Sequence, residues 1–194
     1  MNKVGVVSFY VRGADGETEK NVKKPADGTG TTTDETDYDR QERIRTSTYV
    51  VEDMLEFLEN EGVEHVVNAE IADELDCDAV GLNELEDTDF VVTVGGDGTI
   101  LRAVGAMDEP VPILGVNTGR VGFLADVPPE SAVDEVERIL DGFETERRSR
   151  LAVEVNGEHV ATALNECVVV ASRPAKILEF DVYHAGELVE SVRS

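Results

Sequence analysis

Apolar residues in this chain come in short dense runs, and the earliest of them do not alternate with polar ones. Residues 4–11 (VGVVSFYV), 90–94 (FVVTV) and 111–116 (VPILGV) are nearly continuous. Runs of that length and density mark strands covered on both faces of a parallel sheet. Between them the period lengthens to that of a helix. Val50, Val51, Met54, Leu55 and Leu58 predict a helix from Thr46 to about Gly62, followed by a short strand over residues 65–68. Val133, Val136, Ile139 and Leu140 predict an amphipathic helix over residues 130–140. Two stretches fit neither period. Residues 12–45 are polar, with a threonine-rich cluster at 29–36, and predict a mobile insertion, while residues 71–86 mix single apolar residues with acids and give no firm element.

The texture changes after Arg147. Residues 151–155, an Asn156-Gly157 turn and residues 159–171 predict a β-hairpin, and residues 177–184, an Ala185-Gly186 turn and residues 187–192 predict another. The pattern therefore predicts an α/β domain of doubly wound type over residues 1–147. A mainly antiparallel β domain follows over residues 148–194, with about four strands and no closing element. Ligands of doubly wound sheets sit at the carboxyl ends of the strands, so the loops after residues 94 and 116 are expected to border one crevice.

The first of those loops carries the chemistry. Gly95, Gly96 and Gly98 leave the backbone bare, so that its N–H groups can close on phosphate oxygens, and Thr99 is placed to cap a helix running through Ala106. Asp97 stands in the middle of that ledge. A carboxylate beside phosphates is repelled unless it holds a metal or accepts the proton of an attacking hydroxyl. The alternative is a plain Asp-Gly turn.

Composition narrows the class. There are 42 acidic against 17 basic residues, a net charge of −25, and few of the basic residues are lysine. With no basic face, nucleic acid and anionic membrane are excluded as expected partners. An acidic excess spread along the whole chain predicts a protein that stays hydrated in concentrated salt, from a halophilic source. Cys77 and Cys167 are far apart and have no histidine cluster near them, so no metal site is expected. Both are expected to be buried thiols in a reducing cytoplasm. His65, His159 and His184 are expected at the surface or at strand edges. No apolar run reaches membrane-spanning length.

Three motifs in order, GGDGTILR at residues 95–102, GVNTGRVGFL at 115–124 and LNE at 164–166, followed by KILEFDVY at 176–183, resemble the NAD kinase family. GGDGT alone is shared with lipid kinases and, loosely, with phosphofructokinases; the combination is specific. The resemblance implies a Rossmann-like, phosphofructokinase-like α/β nucleotide-binding domain over residues 1–147 and a β-rich NAD-binding domain from residue 148, with the active site between them. It implies phosphoryl transfer from ATP or polyphosphate, with Mg2+, to the 2′-hydroxyl of the adenosine ribose of NAD. By the same resemblance Asp97 accepts the hydroxyl proton, Gly98 lines the site, Arg102 contacts nucleotide and Phe123 packs on NAD. Asn165 and Glu166 hold ribose and adenine groups, and Lys176 and Arg193 fall at NAD-binding positions. A cytoplasmic homo-oligomer, dimer or tetramer, is implied for the full-length protein. Family members continue past the point corresponding to Ser194 into an aspartate and a Gly-Ser-Thr-Ala-Tyr loop, so the sequence is expected to be C-terminally truncated.

Each residue keeps a plainer reading beside the functional one. Arg102 and Arg120 are exposed charges or phosphate contacts. Phe123 is a core residue, a platform, or both. Asn165 and Glu166, within an apolar run, either meet a ligand or form a bulge turned to solvent. The alternatives for the whole chain are a GGDGT-type lipid kinase, which would want a different segment at residues 117–124, and a non-catalytic nucleotide-binding fragment.

Overall fold

The structure, a computed structural model, describes residues 3–9, 37–75, 79–109, 111–119, 122–171 and 177–193. Four strands, β1 (Lys3–Ser8), β2 (Glu64–Val67), β3 (Phe90–Gly95) and β4 (Ile113–Asn117), form one sheet in the order β2-β1-β3-β4, every neighbour parallel. All six residues of β3 are buried, as its unbroken apolar run requires. Alternate side chains serve two cores. Val4, Val6, Phe90, Val92, Val94 and Val116 face helices α1 (Asp37–Asn60) and α4 (Ala132–Asp141). Val7 and Val91 pack instead with Leu85 and with Ala103 of α3 (Asp97–Ala106). Phe143, just past α4, meets the ring of Phe90 edge-on with centroids 5.9 Å apart.

Several expectations shift. The polar insertion expected over 12–45 ends sooner, because α1 already begins at Asp37; the segment 10–36 lies outside the described residues. The helix extends backwards because Ile44 and Ser47 continue the inner stripe of Val51, Met54 and Leu58, all buried, while residues 39–42 stay on the outer side. Residues 71–86, which gave no firm element, hold α2 (Ala69–Leu75) and a 3-10 turn, Leu82–Asp87. Ile71, Ala72 and Leu85 are buried there, so three apolar anchors suffice to fix two short elements among acids.

The chain then forms two antiparallel hairpins, β5 (Leu151–Val155) with β6 (Glu158–Ala163), and β7 (Glu179–His184) with β8 (Glu187–Arg193). Asn156-Gly157 and Ala185-Gly186 all have positive φ, the geometry of tight hairpin turns whose twist matches the strands. Strand β6 is shorter than the expected 159–171 because its partner is exhausted where Leu151 pairs with Ala163. Beyond that point Cys167 is exposed, contrary to the buried thiol expected, and Cys77 lies outside the described residues. No described residue from Leu151 onward is buried, and Val160, Leu188 and Val189 leave apolar side chains in solvent. His159 and His184 are exposed strand residues, and His65 is half-buried in the edge strand β2. Among the described residues no helix is long and apolar enough to cross a membrane.

Candidate active site at the carboxyl ends of β3 and β4

Gly95 pairs with Asn117 in register, so the last residues of β3 and β4 release their loops side by side. Thr118 extends the ladder by donating its backbone N–H to Gly95 O at 2.7 Å. The loop from 118 to 126 is closed at its base, since Asn117 donates to Val127 O at 2.8 Å and Val127 donates to Gly115 O at 3.1 Å. It is held inside as well. The Asn117 side chain accepts from the Gly119 N–H at 3.0 Å and donates to Ala125 O at 3.3 Å. From the other side, Ser47 of α1 shares a buried 2.7 Å hydroxyl contact with Thr118.

The glycines of this region divide into two kinds. A Cβ on Gly115 would lie 2.9 Å from Ala125 Cα, and one on Gly122 would run into the Asp97 carboxylate, 2.9 Å from its Cγ. Those two are required by close packing. A Cβ on Gly96 or Gly98 would meet nothing within 4 Å, and Gly96 has an ordinary extended backbone, φ −145°. Neither packing nor conformation asks for glycine at these two positions. What their bareness provides is open room over the start of α3, the end of a helix whose dipole favours an anion.

Gly96 is the N-cap of α3, and Asp97 is its first residue. The expected cap, Thr99, sits instead in the first turn, where its N–H donates to Gly96 O at 2.9 Å, and its side chain is buried. The cap falls earlier because the extended backbone of Gly96 already turns the chain into the helix. Asp97 is half-buried and pinned. Its Oδ2 accepts the N–H of Phe123 at 2.8 Å, and its Oδ1 accepts those of Leu124 at 3.0 Å and Ala125 at 3.1 Å. Burial pushes its pKa up, but the three backbone donors together outweigh that and hold it below its ordinary value. A carboxylate offers about four lone-pair directions; these bonds fill three, leaving one on Oδ2.

Phe123 stands on the same turn with its side chain 96% exposed, so it is not a core residue: its backbone serves Asp97 and its ring faces out. Arg102, one turn down α3, has its guanidinium 3.3 Å from the centre of the Phe9 ring and 3.7 Å from Glu70 of α2. Glu70 in turn accepts from Asn68, whose amide pairs with Ser8 at the end of β1. Arg102 thus lies against Phe9, just past β1, and against α2. Asn165 and Glu166 lie past the end of β6, exposed and outside any strand, rather than within the apolar strand run expected. Together with Arg150 and with Leu101, Val104 and Gly105 of α3 they line an open cleft of about 220 Å³. The structure therefore brings this pair to α3, the helix that begins with Asp97. Arg193 makes a cross-strand ion pair with Glu179 at 3.0 Å on its own hairpin. Lys176 and Arg120 lie outside the described residues.

Sequence reasoning missed the Asp97 clamp and the Ser47 contact. The second had a signal: a serine on the inner stripe of a helix needs a polar partner. The first had none, because backbone donors carry no residue signature.

Comparison with known proteins places these features in a family. The ATP-NAD kinase N-terminal domain model matches residues 29–143, more than half of the chain. The chain is 40% identical over 134 residues to an NAD kinase of Methanosarcina acetivorans, covering 68% of this chain and 49% of that one. It is 44% identical over 138 residues to one from Methanoculleus marisnigri, covering 70% and 51%. The crystal structure of an NAD kinase from Archaeoglobus fulgidus in complex with ATP superimposes with a TM-score of 0.63 at 28% identity, over 98% of this chain and 57% of that one. The chain spans about half the length of the curated relatives it matches. With its parallel sheet, its glycine ledge and most of its length inside that family model, the chain belongs to the NAD kinase family.

Proposed function

We propose that this chain is the nucleotide-binding part of a kinase that moves a phosphoryl group from ATP, or from inorganic polyphosphate, to the 2′-hydroxyl of the adenosine ribose of NAD. The observation that carries the reading is the bare ledge of Gly96 and Gly98 beside a fixed carboxylate. The ledge gives phosphate oxygens access to backbone N–H groups, and Asp97 gives the acceptor hydroxyl one remaining lone pair. As the ribose O–P bond forms and the bond to the leaving phosphate breaks, the hydroxyl proton passes to Asp97 Oδ2. Such transfers go largely through a loose transition state, so the site works by position and charge more than by bond-making chemistry.

In the same reading Gly95 and Thr99 complete the phosphate loop, Phe123 offers a ring to the nucleotide, and Asn165 with Glu166 bind ribose and base. Lys176 and Arg193 complete the NAD side. Arg102, which also lies against Phe9 and Glu70, contacts the nucleotide. Among the described residues no group of three or more His, Cys, Asp or Glu side chains is placed to hold a metal. Mg2+ would enter this reading as part of the phosphate donor, where it would supply charge neutralisation. A cytoplasmic homo-oligomer belongs to this reading, and the apolar side chains exposed on the hairpins supply surface for it. The test is NADP formation from NAD, Mg2+ and either ATP or polyphosphate in molar KCl. Absence of NADP with both donors, from folded protein, overturns the proposal.

A further inference from the structure

Two opposite charges share one small cleft in this protein and do not pair. Arg150 and Glu166 both line the open cleft of about 220 Å³ along α3, together with Thr162, Asn165 and Leu101. Arg150 immediately precedes Leu151, which pairs with Ala163 at the end of the β5–β6 ladder, so the hairpin itself brings Arg150 beside the segment 164–166. Arg150 is half-buried, its Nε is buried without a hydrogen-bond partner, and it forms no ion pair among the described residues.

That is out of keeping with the rest of the chain. With 42 acidic residues against 17 basic ones, a cation finds a carboxylate easily. Arg138, Arg148 and Arg193 each hold a glutamate, at 2.7, 3.1 and 3.0 Å, in exposed pairs of little energetic value. Arg150 is more sheltered than these and holds none. A guanidinium drawn partly out of water costs free energy when its donors lack an acceptor and its charge lacks a counter-charge. An anion bound in the cleft relieves both.

We propose that Arg150 holds the phosphate next to the adenosine of the acceptor nucleotide, and so selects a nucleotide over a nucleoside. The inference rests on the kinase reading above and adds to it a residue outside the three motifs. The other groups of the cleft decide the class of ligand. Glu166 accepts hydrogen bonds and repels anions, Asn165 both donates and accepts, and Leu101 and Val104 supply apolar wall. A small inorganic anion would meet the carboxylate as well as the guanidinium. A ligand with hydroxyl or amino donors on one side and a phosphate on the other satisfies both, and a nucleotide is built in that way. The position also suits the chemistry proposed at Asp97. Leu101, Val104 and Gly105 follow it on the same helix, about 6–12 Å along the axis at about 1.5 Å per residue, a span that one nucleotide bridges. Arginine offers a planar fork to two phosphate oxygens at once, and a half-buried contact is screened less by salt than an exposed one.

The experiment uses the 194-residue chain and two variants. Arg150→Met keeps the apolar stem and removes the charge, and Arg150→Lys keeps the charge and removes the fork. In molar KCl it measures binding of adenosine, adenosine 5′-monophosphate and NAD by calorimetry, the KM values for NAD and ATP, and thermal stability. Arg150→Met is expected to weaken binding of the monophosphate and of NAD, and to raise KM for NAD, by about tenfold, while adenosine affinity and KM for ATP stay within about twofold. Arg150→Lys should recover part of the loss. It carries the test if Arg150→Met does not fold: it should bind the monophosphate less tightly than the unsubstituted chain and adenosine equally well. An equal loss for adenosine and its monophosphate would put Arg150 on the base or in the scaffold and overturn the phosphate role. A rise in KM for ATP with KM for NAD unchanged would put Arg150 on the donor and overturn the assignment too. If NADP forms and monophosphate binding is unchanged in Arg150→Met, this inference falls and the kinase reading stands. If no NADP forms but the monophosphate binds in an Arg150-dependent way, the kinase reading falls and the phosphate contact stands. Failure of the unsubstituted chain to bind either the monophosphate or NAD overturns the site itself.

Discussion

Replacing Asp97 with asparagine tests whether the carboxylate holds the 123–125 turn as well as facing the ledge. In the unsubstituted protein two oxygens accept three backbone N–H groups, at 2.8, 3.0 and 3.1 Å. An amide has one oxygen. If that oxygen keeps the Leu124 and Ala125 donors, its NH2 group points at the N–H of Phe123, donor against donor. One charge-assisted bond is lost, two become neutral, and the favourable negative charge at the start of α3 disappears. Each charged bond stabilises by about 1.5–3 kcal/mol and a neutral one by about 0.5–1.5. Because the site is half-open to water, which can satisfy Phe123, we expect a net loss of about 2 kcal/mol. For a chain of this size that is a Tm lower by about 4–8 °C. Thermal melts of both proteins in molar KCl at neutral pH read it directly. The pH dependence supplies a second arm. The folded pKa lies below the ordinary 3.8, so the carboxylate's contribution is fully present above that value and is lost as pH falls through the folded pKa. The gap between the two proteins should therefore hold from pH 7 to about 5 and close below about pH 4. Equal melting temperatures at pH 7 would refute the clamp.

The other expectations follow the same contacts. Gly122→Ala should lower NADP formation by at least about tenfold, because its Cβ displaces the Asp97 carboxylate or the turn that pins it; unchanged steady-state rates would show that the turn yields without consequence. Ser47→Ala removes one partner of a buried hydroxyl pair and should cost about 1 kcal/mol in urea unfolding, and a midpoint equal to that of the unsubstituted chain counts against the contact. A net charge of −25 repels itself when unscreened, so Tm should climb as KCl rises from about 0.1 M to molar levels; a flat salt profile by differential scanning calorimetry would speak against a protein built for salt.

The parts of the fold that could be seen in the sequence are those whose signal is local. Strand β3 announced itself as a buried run and β4 as an apolar one, although only Gly115 and Val116 of β4 are buried; α4 was visible by its period and both hairpins by their turns. What could not be seen depends on partners distant in sequence. The first turns of α1 are polar and are ordered through Ile44 and Ser47, one of which finds its partner 71 residues later. The length of β6 is set by β5, so an apolar run from residue 159 to 171 overstates it. The same division holds at the site. The glycine ledge and Asp97 were legible because residue type is the signal. The clamp was not, since Phe123, Leu124 and Ala125 contribute N–H groups that any residue but proline would have.

That clamp changes what Asp97 can be asked to do in the proposed phosphoryl transfer. A general base works best when its pKa lies near the working pH, and the three donors move this one the other way. A strong base is not what the proposed reaction needs, however. In a loose transition state the bond to the leaving phosphate is largely broken before the hydroxyl oxygen has bonded, so the hydroxyl proton becomes acidic late and a weak acceptor suffices. What the early part of the reaction needs is an acceptor that does not wander, because the hydroxyl must lie in line with the phosphorus. The donors of residues 123–125 provide that by fixing both oxygens and leaving a single direction on Oδ2. Gly122 is part of the same solution: a side chain there would stand where the carboxylate stands, so the glycine that clears the space and the turn that grips the acid are one device. The lowered pKa is then the consequence of holding the carboxylate still.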